Sequence, residues 1–189
     1  MINLTKGEKT VIGSKKFTVG LGWDANVGNS STIDLDVSVF MLNTNKVIPN
    51  ESSFIFYNQL KSTCGSVIHS GDCRNGETSS NGDDESIKID LTKMPSDIVE
   101  LLFVVTIDEA IMKKQNFGMV RNSYIRIIDE NGTELVKYEL DESFSIETGI
   151  LFGRLYVKND EWKFDASGIG YQEDLSFFVE QYYTGSVSK

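Results

Sequence analysis

Residues 71–85 read Gly-Asp-Cys-Arg-Asn-Gly-Glu-Thr-Ser-Ser-Asn-Gly-Asp-Asp-Glu, with five carboxylates, one arginine and three glycines. The stretch has no large apolar side chain to bury, so it reads as a loop. Asp83, Asp84 and Glu85 are consecutive. Two like charges about 4 Å apart repel by about 1 kcal/mol even at water's dielectric, and by more near a protein surface. An ordered loop of this kind calls for a positive partner, and Arg74 alone is a poor match for five anions. Calcium fits that chemistry, because it takes about 6–8 oxygen ligands from carboxylates, amides, carbonyls and water. The loop offers Asp72, Asn75, Asn81, Asp83, Asp84 and Glu85. Magnesium demands stricter geometry and keeps more waters. Zinc is a weak candidate, since Cys64, His69 and Cys73 do not make a standard ligand spacing.

A second acidic element is Asp34-Leu35-Asp36. In a strand, alternate residues share a face at roughly 6.5–7 Å between Cα atoms, so both carboxylates point the same way. Asp24, after Gly20-Leu21-Gly22-Trp23, is a candidate third contributor. Each element alone also suits a solvated surface, and the loop does not follow the helix-loop-helix calcium pattern. The two together leave a bound metal and a solvated surface about equally open.

These residues must be positioned by strands. Ile33, Leu35, Val37, Val39 and Met41 alternate with Asp34, Asp36 and Ser38, predicting a strand over 33–42. Similar patterns predict strands over 16–23, 54–57, 85–91, 123–129, 134–140, 148–157 and 161–166. The stretch 98–107 is apolar without strict alternation, as expected of a strand covered on both faces. Asn131-Gly132 signals a hairpin, because a tight turn needs positive φ there. Leu175, Phe178, Val179 and Tyr182 have helical spacing, predicting a terminal amphipathic helix over 173–183. A short helical segment is expected over 109–115. The fold class is therefore all-β: an antiparallel β-sandwich with a C-terminal helix and few short helices.

The chain has 189 residues, which fits one domain over 1–189. Its formal charge of −10 repels phosphate backbones, so no nucleic acid partner is expected. The longest apolar run, 101–105, is far short of a membrane span. The N-terminal residues lack an apolar signal core, so the expected location is cytoplasmic, with Cys64 and Cys73 reduced. Nothing in the sequence visibly lowers a thiol pKa.

Gly20-Leu21-Gly22-Trp23-Asp24, Asp34-Leu35-Asp36, Gly71-Asp72 and Gly82-Asp83-Asp84-Glu85 together resemble the TerD family. This is the tellurium-resistance and stress-response family of bacterial calcium-binding proteins. The resemblance continues through Phe103-Val104-Val105-Thr106-Ile107, Gln115-Asn116-Phe117-Gly118, Phe152-Gly153-Arg154-Leu155-Tyr156 and Gly168-Ile169-Gly170-Tyr171. It implies a non-enzymatic β-sandwich that binds Ca2+ at one end through acidic loops. It also implies partners among other proteins of the same stress-response operon, at the membrane surface. Carried over residue by residue, Asp34 and Asp36 match the family's Asp-x-Asp pair. Asp72 matches its Gly-Asp-Asn, and Asp83, Asp84 and Glu85 its acidic triplet. Cys73 stands where the family usually has Asn, and Asn81 where Asp is common. Fewer anionic ligands weaken calcium affinity, so one site is expected to bind less tightly than in a typical member.

Three other functions compete. A metal-dependent hydrolase could use the paired carboxylates, but His69 is the only histidine. A small-ligand, cyclic-nucleotide-like binder would need a phosphate loop, and Gly168-Ile169-Gly170-Tyr171 lacks the third glycine. Tellurite reduction by Cys64 and Cys73 is disfavoured by nearby Asp72 and Glu77.

Overall fold

The computed structural model describes residues 1–24, 33–71, 82–140 and 144–185. The strands are β1 (Ile2–Leu4), β2 (Lys9–Val11), β3 (Lys16–Asp24), β4 (Leu35–Asn43), β5 (Phe54–Ile55), β6 (Val67–His69) and β7 (Glu85–Asp90). They continue as β8 (Ile98–Ile107), β9 (Arg121–Asp129), β10 (Glu134–Glu139), β11 (Gly149–Lys158), β12 (Glu161–Asp165) and β13 (Ile169–Tyr171). Helix α1 (Ala110–Lys113) follows β8, and α2 (Leu175–Tyr182) follows β13. One sheet runs β1-β10-β9-β3-β7-β6; the other runs β2-β12-β11-β8-β4-β5, with β13 against β11. All these pairings are antiparallel except β1 with β10. The sandwich inferred from the strand pattern is what the chain adopts.

Alternation explains the main core. Val19 and Leu21 of β3, Ile87 and Ile89 of β7, and Ile125 and Ile127 of β9 face inward from the first sheet. Val37, Val39 and Met41 of β4 and Leu101, Phe103 and Val105 of β8 meet them from the second. Burying each such side chain contributes about 1.5–3 kcal/mol.

The second sheet is also covered on its outer face. Phe40, Leu42, Leu102, Val104 and Leu151 form a separate cluster with Phe178 of α2, flanked by Leu175, Val179 and Tyr182. This explains the apolar run Leu101–Val105 within β8. Alternation alone assigns only the inner face of β4 to the core; its outer face is apolar from Phe40 onward because α2 lies there. Helix α2 begins at Asp174, whose carboxylate accepts from Ser176 N at 2.9 Å and Phe177 N at 3.4 Å.

Two turns have the backbone that their residues favour. Gly132 has φ +81° between β9 and β10, and Asp129 Oδ1 accepts from Asn131 N and Thr133 N, both at 2.9 Å. Asn159 and Asp160 both have positive φ between β11 and β12. The expected strand over 54–57 is only two residues long, and the short strands β1, β2, β6 and β13 carry too few residues for periodicity to reveal. Among the described residues, no helix is long and apolar enough to cross a membrane.

Candidate metal centre

The acidic triplet enters β7 from the end of the first sheet, and its three carboxylates have different surroundings. Asp84 extends the β3–β7 pairing: its N–H donates to Leu21 O at 2.8 Å, and Trp23 N–H donates to Asp84 Oδ2 at 2.8 Å. Asp84 is only 6 % exposed, and its Oδ1 is buried with no hydrogen-bond partner among the described residues. Burial pushes the Asp84 carboxyl above the usual carboxylate range; the Trp23 N–H opposes this, while the charges of Asp83 and Asp24 add to it. Trp23 Nε1 is similarly buried and unmatched, but as a donor it cannot hold a cation.

Asp83 is tied to the outer face of the first sheet. Arg126 Nε donates to its Oδ1 at 2.7 Å, and the Tyr124 hydroxyl lies 3.0 Å from the same atom and 2.6 Å from Gly82 O. Burial and the neighbouring Asp83 push the Tyr124 phenol well above its ordinary range. The register of β3 against β9 sets Gly20 beside Arg126 and Gly22 beside Tyr124. A Cβ at Gly20 would lie 2.2 Å from Asp83 Oδ2, and one at Gly22 2.5 Å from the Tyr124 ring. The Gly-Leu-Gly motif therefore makes room for a carboxylate and a phenol.

Glu85 crosses the sandwich. It is 1 % exposed, and its Oε2 accepts from Val37 N–H of β4 at 2.9 Å. His69 Nε2 lies 3.5 Å from the same oxygen and 3.1 Å from Val37 O, while Gly71 N–H donates to His69 Nδ1 at 3.0 Å. Because Nδ1 accepts, the ring proton belongs on Nε2, which donates to Val37 O. This ring ties β6 and Gly71 to β4.

Asp34 and Asp36 come to the same end of the sandwich. Asp34 O accepts from Asp108 N at 2.9 Å, and Asp36 pairs with Thr106 in the β4–β8 register. The Glu85 contact falls on Val37, the residue next to Asp36. The carboxylates nevertheless divide between two pockets. Asp24 and Asp84 line one of about 440 Å³, in which Asn122 Nδ2 donates to Asp24 Oδ2. Asp36 lines another of about 530 Å³ on the outer face of the second sheet. Asp72 and Asn81 lie outside the described residues, as does Cys73. Among the described residues, no three His, Cys, Asp or Glu side chains gather closely enough to hold a metal ion.

Sequence reasoning missed Tyr124, Arg126 and the bridging role of His69. A signal existed for the first two: they alternate with core residues Ile125 and Ile127, so they had to face outward. One expectation is corrected. Burial raises the pKa of the half-buried Cys64 thiol, but hydrogen bonds with Ser62 and Ser66 outweigh this and leave it below its ordinary value.

The chain matches the TerD domain over residues 1–182. It is 46 % identical over 187 residues to the tellurium resistance protein TerD of an Alcaligenes species, covering 96 % of each chain. It is 45 % identical over 188 residues to general stress protein 16U of Bacillus subtilis, again covering 96 % of each. A crystal structure of a TerD homologue from Streptomyces coelicolor superposes with a TM-score of 0.68 at 18 % identity, over 88 % of this chain and 95 % of that one, which supports the fold. A family match over residues 1–182 and a likeness to resistance and stress proteins across 96 % of each chain lead to one assignment: this chain belongs to the TerD family of tellurium-resistance and stress-response proteins.

Proposed function

We propose that the protein is a non-enzymatic calcium-binding module of a bacterial stress-response system, working with other proteins of the same operon. The observation that carries this reading is Asp84 Oδ1, a carboxylate oxygen buried without a hydrogen-bond partner among the described residues. An unmatched buried acceptor costs about 1–3 kcal/mol, more when charged. Asp24 and Asp83 add repulsion. Calcium would supply two positive charges and oxygen-seeking coordination positions at this point. Asp84 would be the central ligand, with Asp24 beside it. Asp34, Asp36, Asp72, Asn81, Asp83 and Glu85 remain the further candidates from the sequence. Arg126 and His69 hold Asp83 and Glu85 in place, and the engagement of His69 with Val37 and Gly71 speaks against a role as a catalytic base.

Calorimetric titration of metal-free protein with calcium tests the reading, with Trp fluorescence as a second signal because Trp23 is bonded to Asp84. Saturable binding that weakens about tenfold or more in Asp84→Asn is expected, given the loss of an anionic ligand. No heat and no fluorescence change with the wild-type protein would sink the proposal.

A further inference from the structure

The outer face of the second sheet carries a groove of about 530 Å³ between α1 and the start of α2. Ile111 and Met112, adjacent on α1, are 81 % and 75 % exposed, and both line this groove. Tyr57, 44 % exposed, presents an aromatic ring to the same space. Contiguous exposed apolar surface marks binding sites more often than scattered single side chains do. The backbone is held to present them: Glu109 and Lys114, on either side of α1, both adopt left-handed conformations with φ of 51° and 53°. Non-glycine residues rarely adopt this conformation.

The rim is acidic. Asp36, Asp108, Glu109 and Asp174 all line the groove. Lys113 lies 3.0 Å from Asp108 and 3.4 Å from Glu109. Lys113 is shared between two of these carboxylates, and the chain as a whole has a formal charge of −10. A second copy would bring the same acidic rim, and an anionic bilayer would be repelled. The complementary occupant carries positive charge on either side of apolar anchors.

We propose that this groove docks a basic amphipathic segment of a partner protein, with its apolar side chains on Ile111 and Met112 and its Lys or Arg residues on the carboxylate rim and the Tyr57 face. Opposite charge guides the encounter, and the apolar pair supplies the anchor. This gives the interaction-module reading a partner class and rests on that reading, though not on calcium being bound.

The test uses a fluorescent peptide of about 18 residues with leucines and lysines in amphipathic helical order. Its partner peptide has glutamate in place of lysine. Anisotropy is read with the full-length protein in chelator and in calcium. The lysine peptide should bind, weaken with salt, and lose about tenfold or more in affinity with Ile111→Ser/Met112→Ser. Glu109→Lys should weaken it as well, while Val11→Ser, an exposed apolar position on β2, should not. These positions are on the surface, and a melting scan checks that each variant folds. Equal binding to wild type and to the Ile111/Met112 variant would mean diffuse charge attraction and overturn the proposal. So would equal binding of the glutamate peptide, or no binding of either peptide. Dimers in sedimentation, or adsorption to anionic vesicles, that depend on Ile111 and Met112 would also overturn it by naming another occupant. Peptide binding in chelator with no calcium heat would sustain the groove and sink the calcium reading.

Discussion

Trp23 and Asp84, 61 residues apart, are joined where β3 meets the entry to β7: the Trp23 backbone N–H donates to Asp84 Oδ2 at 2.8 Å, leaving the other oxygen of the same carboxylate buried and unmatched. One half of the side chain completes the sheet edge and the other half is left for something the polypeptide does not provide among its described residues.

The metal-free protein should be more stable without that charge. The folded-state pKa of Asp84 is raised, so its favourable contribution is complete below the ordinary carboxylate value and is lost as pH rises through the raised folded value. At neutral pH the ionised group therefore opposes folding. Asp84→Asn in chelator should raise the melting temperature, each 1 kcal/mol recovered being worth about 2–4 °C in a domain of this size. The same variant should show less calcium-dependent stabilisation than wild type. A scan in chelator in which Asp84→Asn melts clearly lower would contradict the first expectation.

The two motif glycines should be far less replaceable than a glycine in open space. Gly20→Ala drives a methyl into Asp83, which Arg126 and Tyr124 hold, and Gly22→Ala drives one into the Tyr124 ring. Overpacking of this kind costs about 1–3 kcal/mol. A methyl added at Gly13 would meet nothing within 4 Å, so Gly13→Ala should be close to neutral. Urea denaturation of the three variants gives the ranking directly.

Glu85 should behave as a latch between sheets. Glu85→Ala leaves the Val37 N–H without its acceptor and should destabilise by about 2–3 kcal/mol. Glu85→Gln keeps an oxygen for that N–H and should cost less. Hydrogen exchange at the Val37 amide is the local readout: faster in Glu85→Ala, and nearer wild type in Glu85→Gln.

The cap of α2 should show a pH signature. Hydrogen bonding from Ser176 holds the Asp174 carboxyl below the usual range, with burial opposing and the Phe177 N–H adding to the effect. A lowered folded pKa means the contribution is complete above the ordinary value, about 3.9, and fades as pH falls through the folded value. Asp174→Ala should therefore lower stability by about 1 kcal/mol at neutral pH. The gap from wild type should narrow in acid. A gap independent of pH would show that the charged cap is not its source.

Much of this architecture was legible because burial imposes a period. Leu35, Val37, Val39 and Met41 are every second residue, and a strand with one buried face allows no other spacing. Asn131-Gly132 and the spacing of Leu175, Phe178, Val179 and Tyr182 were legible for similarly local reasons. The acidic triplet stood out because adjacent carboxylates repel and need compensation. Periodicity could not reveal that Phe40 and Leu42 lie under α2, since the covering helix is far downstream in the chain.

By itself, the sequence determined a β-sandwich with a closing helix, an acidic end and membership of a family, because each follows from local pattern or from likeness along the chain. Only the tertiary structure decided which carboxylate is paired with Arg126, which bridges to Val37, and which retains a buried oxygen without a partner among the described residues. Those outcomes depend on strand register and on how the two sheets face each other, which bring together residues 43 to 61 positions apart that no local pattern relates.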